Sequence, residues 1–146
     1  MGDKAGFLVI DDTALPKKGQ YSVGAAPQYA SSLGKTSNCQ SLVSVTLASR
    51  EVPVVVGLRL SLPDTWTNDP ERMKGARVLN DRQVALTKPE IAIEEIDRVI
   101  ASGSRFGCVL ADAGYGSSSA FRQALRERGL LWAVGLSRRQ NISGWC

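Results

Sequence analysis

The sequence predicts an α/β domain: a mixed five-stranded sheet with flanking helices. Three observations carry that expectation. Short apolar runs, rich in residues that favour strands, recur at 7–10, 39–48, 54–60, 106–111 and 130–136. Segments with helix-start chemistry fall after the third run, at Asp69 and Thr87, and between the fourth and fifth, at Ser117 to Ser119. The resulting order is β-β-β-α-β-α-β. Three strands with no helix between them form an antiparallel meander, and the later strand-helix-strand unit forms a right-handed parallel crossover.

Phe7-Leu8-Val9-Ile10 is too short for a helix and reads as a buried strand that ends at Asp11-Asp12-Thr13. Pro16, Lys17, Lys18 and Gly19 stop it, and the Ser-, Gly- and Lys-rich stretch 20–37 reads as a long loop. Segment 39–48 alternates Leu42, Val43, Val45 and Leu47 with Ser41, Ser44 and Thr46, a strand pattern. Segment 54–60 is the next strand, closed by Pro63, and its closeness in sequence predicts a hairpin with 39–48.

Asp69-Pro70-Glu71 opens a short helix: a capping Asp, a proline in the first turn, and an acid near the positive helix end. Thr87-Lys88-Pro89-Glu90 has the spacing of a capping box. Ile93, Ile96, Val99 and Ile100 then recur at helical spacing until Gly103. The fourth strand ends at Asp112, and Gly114 and Gly116 make a turn. Ser117 to Ser119 offer caps to a helix with Phe121, Ala124 and Leu125 inward and Arg122, Arg126 and Glu127 outward, ended by Gly129. One architecture with this order is the ribonuclease H-like fold, which sets the first strand in the sheet centre beside the fourth.

A chain of 146 residues, 43% hydrophobic and 22% charged, is the size and composition of one globular domain with its own core. No apolar run approaches the roughly 18 residues of a membrane span. The start MGDKAGFLV lacks the basic lead and apolar stretch of a secretory signal. Histidine is absent, which excludes Ser-His-Asp and Cys-His catalysis and His-ligated zinc. The odd set Cys39, Cys108 and Cys146, without C-x-x-C, fits free thiols in a reducing cytoplasm. A net charge of +4 permits a polyanionic partner without demanding one.

Two acidic positions match. Asp11-Asp12 ends the first strand and Asp112 the fourth. If those strands are parallel neighbours, about 4.8 Å apart, their carboxylates meet at one sheet edge and can share a divalent ion. Such ions, alone or as a pair, serve phosphodiester chemistry and need no histidine. The alternative is that these acids are ordinary turn residues.

The ordered set of segments resembles insertion-sequence DDE transposases over about 7–137. It comprises Ile10-Asp11-Asp12-Thr13, Lys17-Lys18-Gly19, Ser22-Val23-Gly24, Leu33-Gly34-Lys35 and Asn38-Cys39-Gln40. It continues with Leu62-Pro63 through Trp66, Asp69-Pro70-Glu71-Arg72, Lys88-Pro89-Glu90 and Ala111-Asp112-Ala113-Gly114-Tyr115-Gly116. The resemblance implies a ribonuclease H-like catalytic domain that cleaves and joins double-stranded DNA at transposon ends and target. It implies two Mg²⁺ ions, for which Mn²⁺ can substitute, and self-association of the intact enzyme, with no membrane and no nucleotide cofactor. The first catalytic acid of the Asp-x-Thr pattern falls on Asp11, with Asp12 as the competing choice, because adjacent strand residues point to opposite faces. The second falls on Asp112. The third, a Glu on a helix beyond the last strand, has no match here, and Glu127 lies on the wrong helix.

Residues 1–146 are therefore expected to be a partial catalytic domain. It would lack the Glu-bearing part and the N-terminal DNA-binding region, and it would be inactive alone. Lys17, Lys18, Lys35, Arg138 and Arg139 are candidate contacts to DNA phosphates. Trp66, Trp132 and Trp145 read as packing residues. Two rival readings are a non-catalytic transposase remnant and a dinucleotide-binding domain. The latter would use Gly114 and Gly116 as a phosphate turn, but Ser119 stands where a third glycine belongs.

Overall fold

A computed structural model describes residues 1–50 and 52–137. The mixed α/β sheet is present, with six strands rather than five. They are β1 (Phe7–Pro16), β2 (Ala26–Ala30), β3 (Lys35–Ala48), β4 (Val54–Ser61), β5 (Cys108–Ala111) and β6 (Trp132–Val134). Their path is β2-β3-β1-β5-β6, and β4 also pairs with β3. β1, β2 and β4 each run antiparallel to β3, while β5 runs parallel to β1 and to β6. The expected hairpin, the parallel crossover and the central first strand beside the 108–111 strand are all found.

The extra strand lies inside the stretch read as a long loop. β2 is short, contains Pro27, and buries only Ala26 and Ala30, so it lacks the β-branched alternation that marks a strand. Its place is fixed by partners elsewhere: it pairs with Lys35–Cys39, and the Gln28 amide donates to the Cys39 carbonyl at 2.8 Å. The first strand is also longer than its apolar run. β3 pairs it from Phe7↔Ala48 to Pro16↔Cys39. A backbone ladder is indifferent to side-chain polarity, so Asp11 and Asp12 lie within the strand rather than at its end.

The helices are α1 (Asp64–Thr67), α2 (Pro70–Gly75), α3 (Lys88–Ala101), α4 (Ala113–Gly116) and α5 (Ser119–Glu127). The start signals act as expected. Asp69 caps α2, Thr87 and Glu90 close a reciprocal capping box on α3, and Ser118 caps α5. The supposed Gly114–Gly116 turn is the one-turn helix α4, capped by Asp112. The single core joins Leu8 and Ile10 of β1, Val43 and Val45 of β3 and Val109 of β5 to α3 and α5. Ile91, Ile96 and Val99 supply the α3 side, Phe121 and Leu125 the α5 side. Ile100, expected inward, is 41% exposed, because the buried stripe runs instead through Ile91, Ala92 and Glu95.

Trp66 is a packing residue, 1% exposed, whose indole donates to the Ala25 carbonyl at 2.9 Å. Arg72 lies over its ring and donates to the Gln20 carbonyl, so α1 and α2 pin the chain ahead of β2. Trp132 is half-buried against the core, and Trp145 lies outside the described residues. Cys39 is a buried free thiol and Cys108 a half-buried one; Cys146 is also outside. No described helix is long and apolar enough to cross a membrane.

Candidate functional site

β1 and β5 pair in register from Phe7↔Cys108 to Ile10↔Ala111. The next residue on each strand is an acid, Asp11 on β1 and Asp112 after β5. Leu8 and Ile10 face the core, so alternation sends Asp11 to the opposite face. Ala111 packs against the core, and Asp112 keeps an extended backbone, so it follows Ala111 to that opposite face too. Both acids are exposed. Each uses one oxygen locally: Asp11 Oδ1 accepts from the Asp12 amide at 2.8 Å, and Asp112 Oδ1 accepts from the Gly114 amide at 2.9 Å. No hydrogen bond within the described residues occupies the second oxygen of either.

Asp12 is placed differently. It lies on the core-facing side of β1, half-buried, and both of its oxygens are engaged. Lys88, the first residue of α3, holds Oδ2 at 2.7 Å, and the Tyr115 hydroxyl donates to Oδ1. Tyr115 is 2% exposed, with the Phe121 ring 5.8 Å from its own. Burial, then the bond to Asp12, then the charges of Asp12, Asp112 and Asp11 push its hydroxyl well above the usual tyrosine range. It therefore stays a proton donor, and the three acids all act on this one phenol.

Among the described residues no group of three His, Cys, Asp or Glu side chains is arranged to hold a metal. The open pair Asp11 and Asp112 offers hard oxygen donors, the set that Mg²⁺ takes together with retained water. A cleft of about 260 Å³ opens beside Asp12, bounded also by Gln28, Tyr29 and Lys88. A larger cavity, about 460 Å³, lies between β4, the segment 76–86 and α3, and none of the three acids lines it. Its charged lining is mostly basic, Arg59, Arg77, Arg82 and Arg98 with the single acid Glu95, so it offers no pair of carboxylates to a metal.

The basic candidates are partly gathered. Lys17 and Lys18 follow β1, and Lys35 opens β3, so antiparallel pairing brings all three to the end of the sheet toward which β1 runs. The Asn38 side chain donates to the Lys17 and Gly19 carbonyls at 2.9 Å each and pins this turn. Arg138 and Arg139 lie outside the described residues.

Gly114 and Gly116 do not form an open phosphate cradle. The Gly114 amide donates to the Asp112 side chain and the Gly116 amide to the Asp112 carbonyl. Gly116 is buried, and a Cβ there would meet the Gly135 carbonyl oxygen at 2.0 Å. The glycine permits close contact between α4 and the chain after β6.

Neither Lys88 nor Tyr115 stands out as a site residue in the sequence. One signal was available. A lysine at the first helical position sits against the positive helix end, where a cation is unfavourable, so it calls for a specific partner.

A family model described as DDE superfamily endonuclease matches residues 1–143. A probable transposase for insertion sequence element IS701, from Microchaete diplosiphon, is 33% identical over 131 residues. That match covers 89% of this chain and 31% of the relative, so the chain spans about a third of that protein's length. No solved structure matches the chain.

Proposed function

The chain belongs to the DDE superfamily endonuclease family, and from that premise we propose that it carries part of a ribonuclease H-like catalytic core for DNA transposition. The observation that carries the reading is the pair of exposed acids, Asp11 and Asp112, just past the last paired residues of two adjacent parallel strands. The ribonuclease H-like assignment is supported by the β4-β3-β1-β5-β6 pairing, with its antiparallel start and parallel finish.

Asp11 and Asp112 would hold the divalent metal, Mg²⁺ or Mn²⁺, through the oxygens that no hydrogen bond among the described residues occupies. When bound, the metal supplies Lewis-acid stabilisation to the attacking and leaving oxygens of a phosphodiester in hydrolysis and strand transfer. Asp11 is favoured over Asp12 because it shares a face with Asp112, while both Asp12 oxygens already have partners. Lys17, Lys18 and Lys35 would track the DNA backbone beyond the acids, positioning the duplex without reading its sequence. Double-stranded DNA is the proposed partner, and self-association belongs to the longer protein.

The test is a Mn²⁺ binding isotherm on the 146-residue chain and on Asp112→Asn. The unaltered chain is expected to bind, and the variant to bind at least tenfold more weakly with its fold kept. An unchanged isotherm counts against the assignment. Because no third acid joins the pair among the described residues, the chain alone is expected to show little or no strand transfer. Efficient Mn²⁺-dependent cleavage abolished by Asp112→Ala would overturn that expectation.

A further inference from the structure

The β1–β5 ladder stops at Ile10↔Ala111, one residue short of the proposed metal-binding acids. Asp11 and Asp112 are not themselves a paired set in this ladder, so strand pairing alone does not fix the separation of their side chains. Two carboxylates that share a small divalent ion must hold their oxygens to within about half an ångström. Something else must set the spacing.

We propose that Asp12, Tyr115 and Lys88 form a brace that locks the end of β1 to α4 and to the start of α3. The brace thereby positions Asp11 and Asp112 for metal. The inference rests on the Asp11–Asp112 reading above and extends it to residues that touch neither metal nor DNA. Asp12 is the covalent neighbour of Asp11, and Tyr115 sits in the helix that Asp112 caps. Their hydrogen bond ties the two acid-bearing segments together across 103 residues of chain. Lys88 adds a third element through its 2.7 Å contact to the other oxygen of Asp12.

The placement of each group is otherwise hard to explain. A carboxylate on the face that buries Leu8 and Ile10 is costly unless its oxygens are paired, and here both are. A lysine at a helix N-terminus opposes the helix dipole, and its only ion-pair partner among the described residues is Asp12. The phenol ring cannot swing away, being buried against Phe121. Arg122 of α5 donates to the Gly116 carbonyl and steadies α4 from the other side.

The test is Tyr115→Phe in the 146-residue chain, which deletes one hydroxyl without changing charge or core volume. Mn²⁺ affinity is measured by titration, and the bound ion is read by electron paramagnetic resonance. Loss of an outer partner of a metal ligand typically weakens binding about 10- to 100-fold. We expect at least a tenfold loss and a broadened bound-Mn²⁺ spectrum, at a temperature where circular dichroism shows the variant folded. A merely structural hydroxyl would lower the melting temperature and leave affinity and spectrum alone, and that result overturns the brace. Lys88→Met is the second variant. Removing a nearby cation would by charge alone tighten Mn²⁺, whereas loss of the brace weakens it. Weaker binding supports the proposal, and unchanged or tighter binding overturns it. If the unaltered chain binds no Mn²⁺ at all, the Asp11–Asp112 reading itself fails and the brace with it.

Discussion

Asp11→Asn is expected to weaken Mn²⁺ binding by about 100-fold or more, because it removes a charged ligand oxygen, and outer partners alone are worth about 10- to 100-fold. Asp12→Asn is expected to cost about tenfold or less. Asparagine still offers an oxygen to the Tyr115 hydroxyl but turns its amide NH2 toward Lys88, so the Lys88 contact and one charge are lost while the Tyr115 contact is kept. The contrast between neighbours is the informative quantity. Both residues are aspartates, both lie in β1, and one peptide bond separates them. They differ in face. Asp11 is exposed beside Asp112, and Asp12 is turned inward to Lys88 and Tyr115. Calorimetric titration of the two variants checks this. The reverse order of losses would make Asp12 the ligand and Asp11 the bystander.

Gly116→Ala is expected to be among the most damaging single substitutions outside the acids. The added Cβ would lie 2.0 Å from a backbone carbonyl oxygen, that of Gly135, and 2.9 Å from Val134. A flexible side chain could move aside, but a carbonyl next to β6 cannot do so without shifting the strand. Overpacking typically costs about 1–3 kcal/mol and sometimes more, and backbone contact puts this case at about 3 kcal/mol. For a chain of this length that is roughly a 10 °C fall in Tm. The damage reaches the site, because α4 carries Tyr115 and is capped by Asp112. Reduced Mn²⁺ affinity in the surviving folded fraction should accompany it. A variant with an unchanged Tm would mean that α4 is not seated against β6.

The two outcomes rest on features of unequal visibility in the sequence. Strands with strong apolar runs, such as 54–60, and helices with capping chemistry, such as Thr87 to Glu90, are legible because local physics alone specifies them. β2 is not legible. Its residues have weak strand preference, and the long partner β3 recruits them. The second half of β1 is hidden for the same reason, because ladder pairing to Cys39–Ala48 extends a strand through polar residues. The pairing of Asp11 with Asp112 could be anticipated from strand order, since both acids follow apolar runs that the topology sets side by side. The division of labour between Asp11 and Asp12 could not. It depends on Lys88 and Tyr115, which lie 76 and 103 residues away from Asp12 and meet it only in the folded chain. Gly116 illustrates the converse: a glycine after a strand suggested phosphate binding, yet its lack of a side chain serves backbone packing.

The most direct measurement is anomalous diffraction at the manganese edge from Mn²⁺-soaked crystals of the 146-residue chain. A peak is expected between the carboxylates of Asp11 and Asp112, with Asp12 still held by Lys88 and Tyr115. A peak on Asp12 with Lys88 turned away, or no peak at any of the three acids, would contradict it.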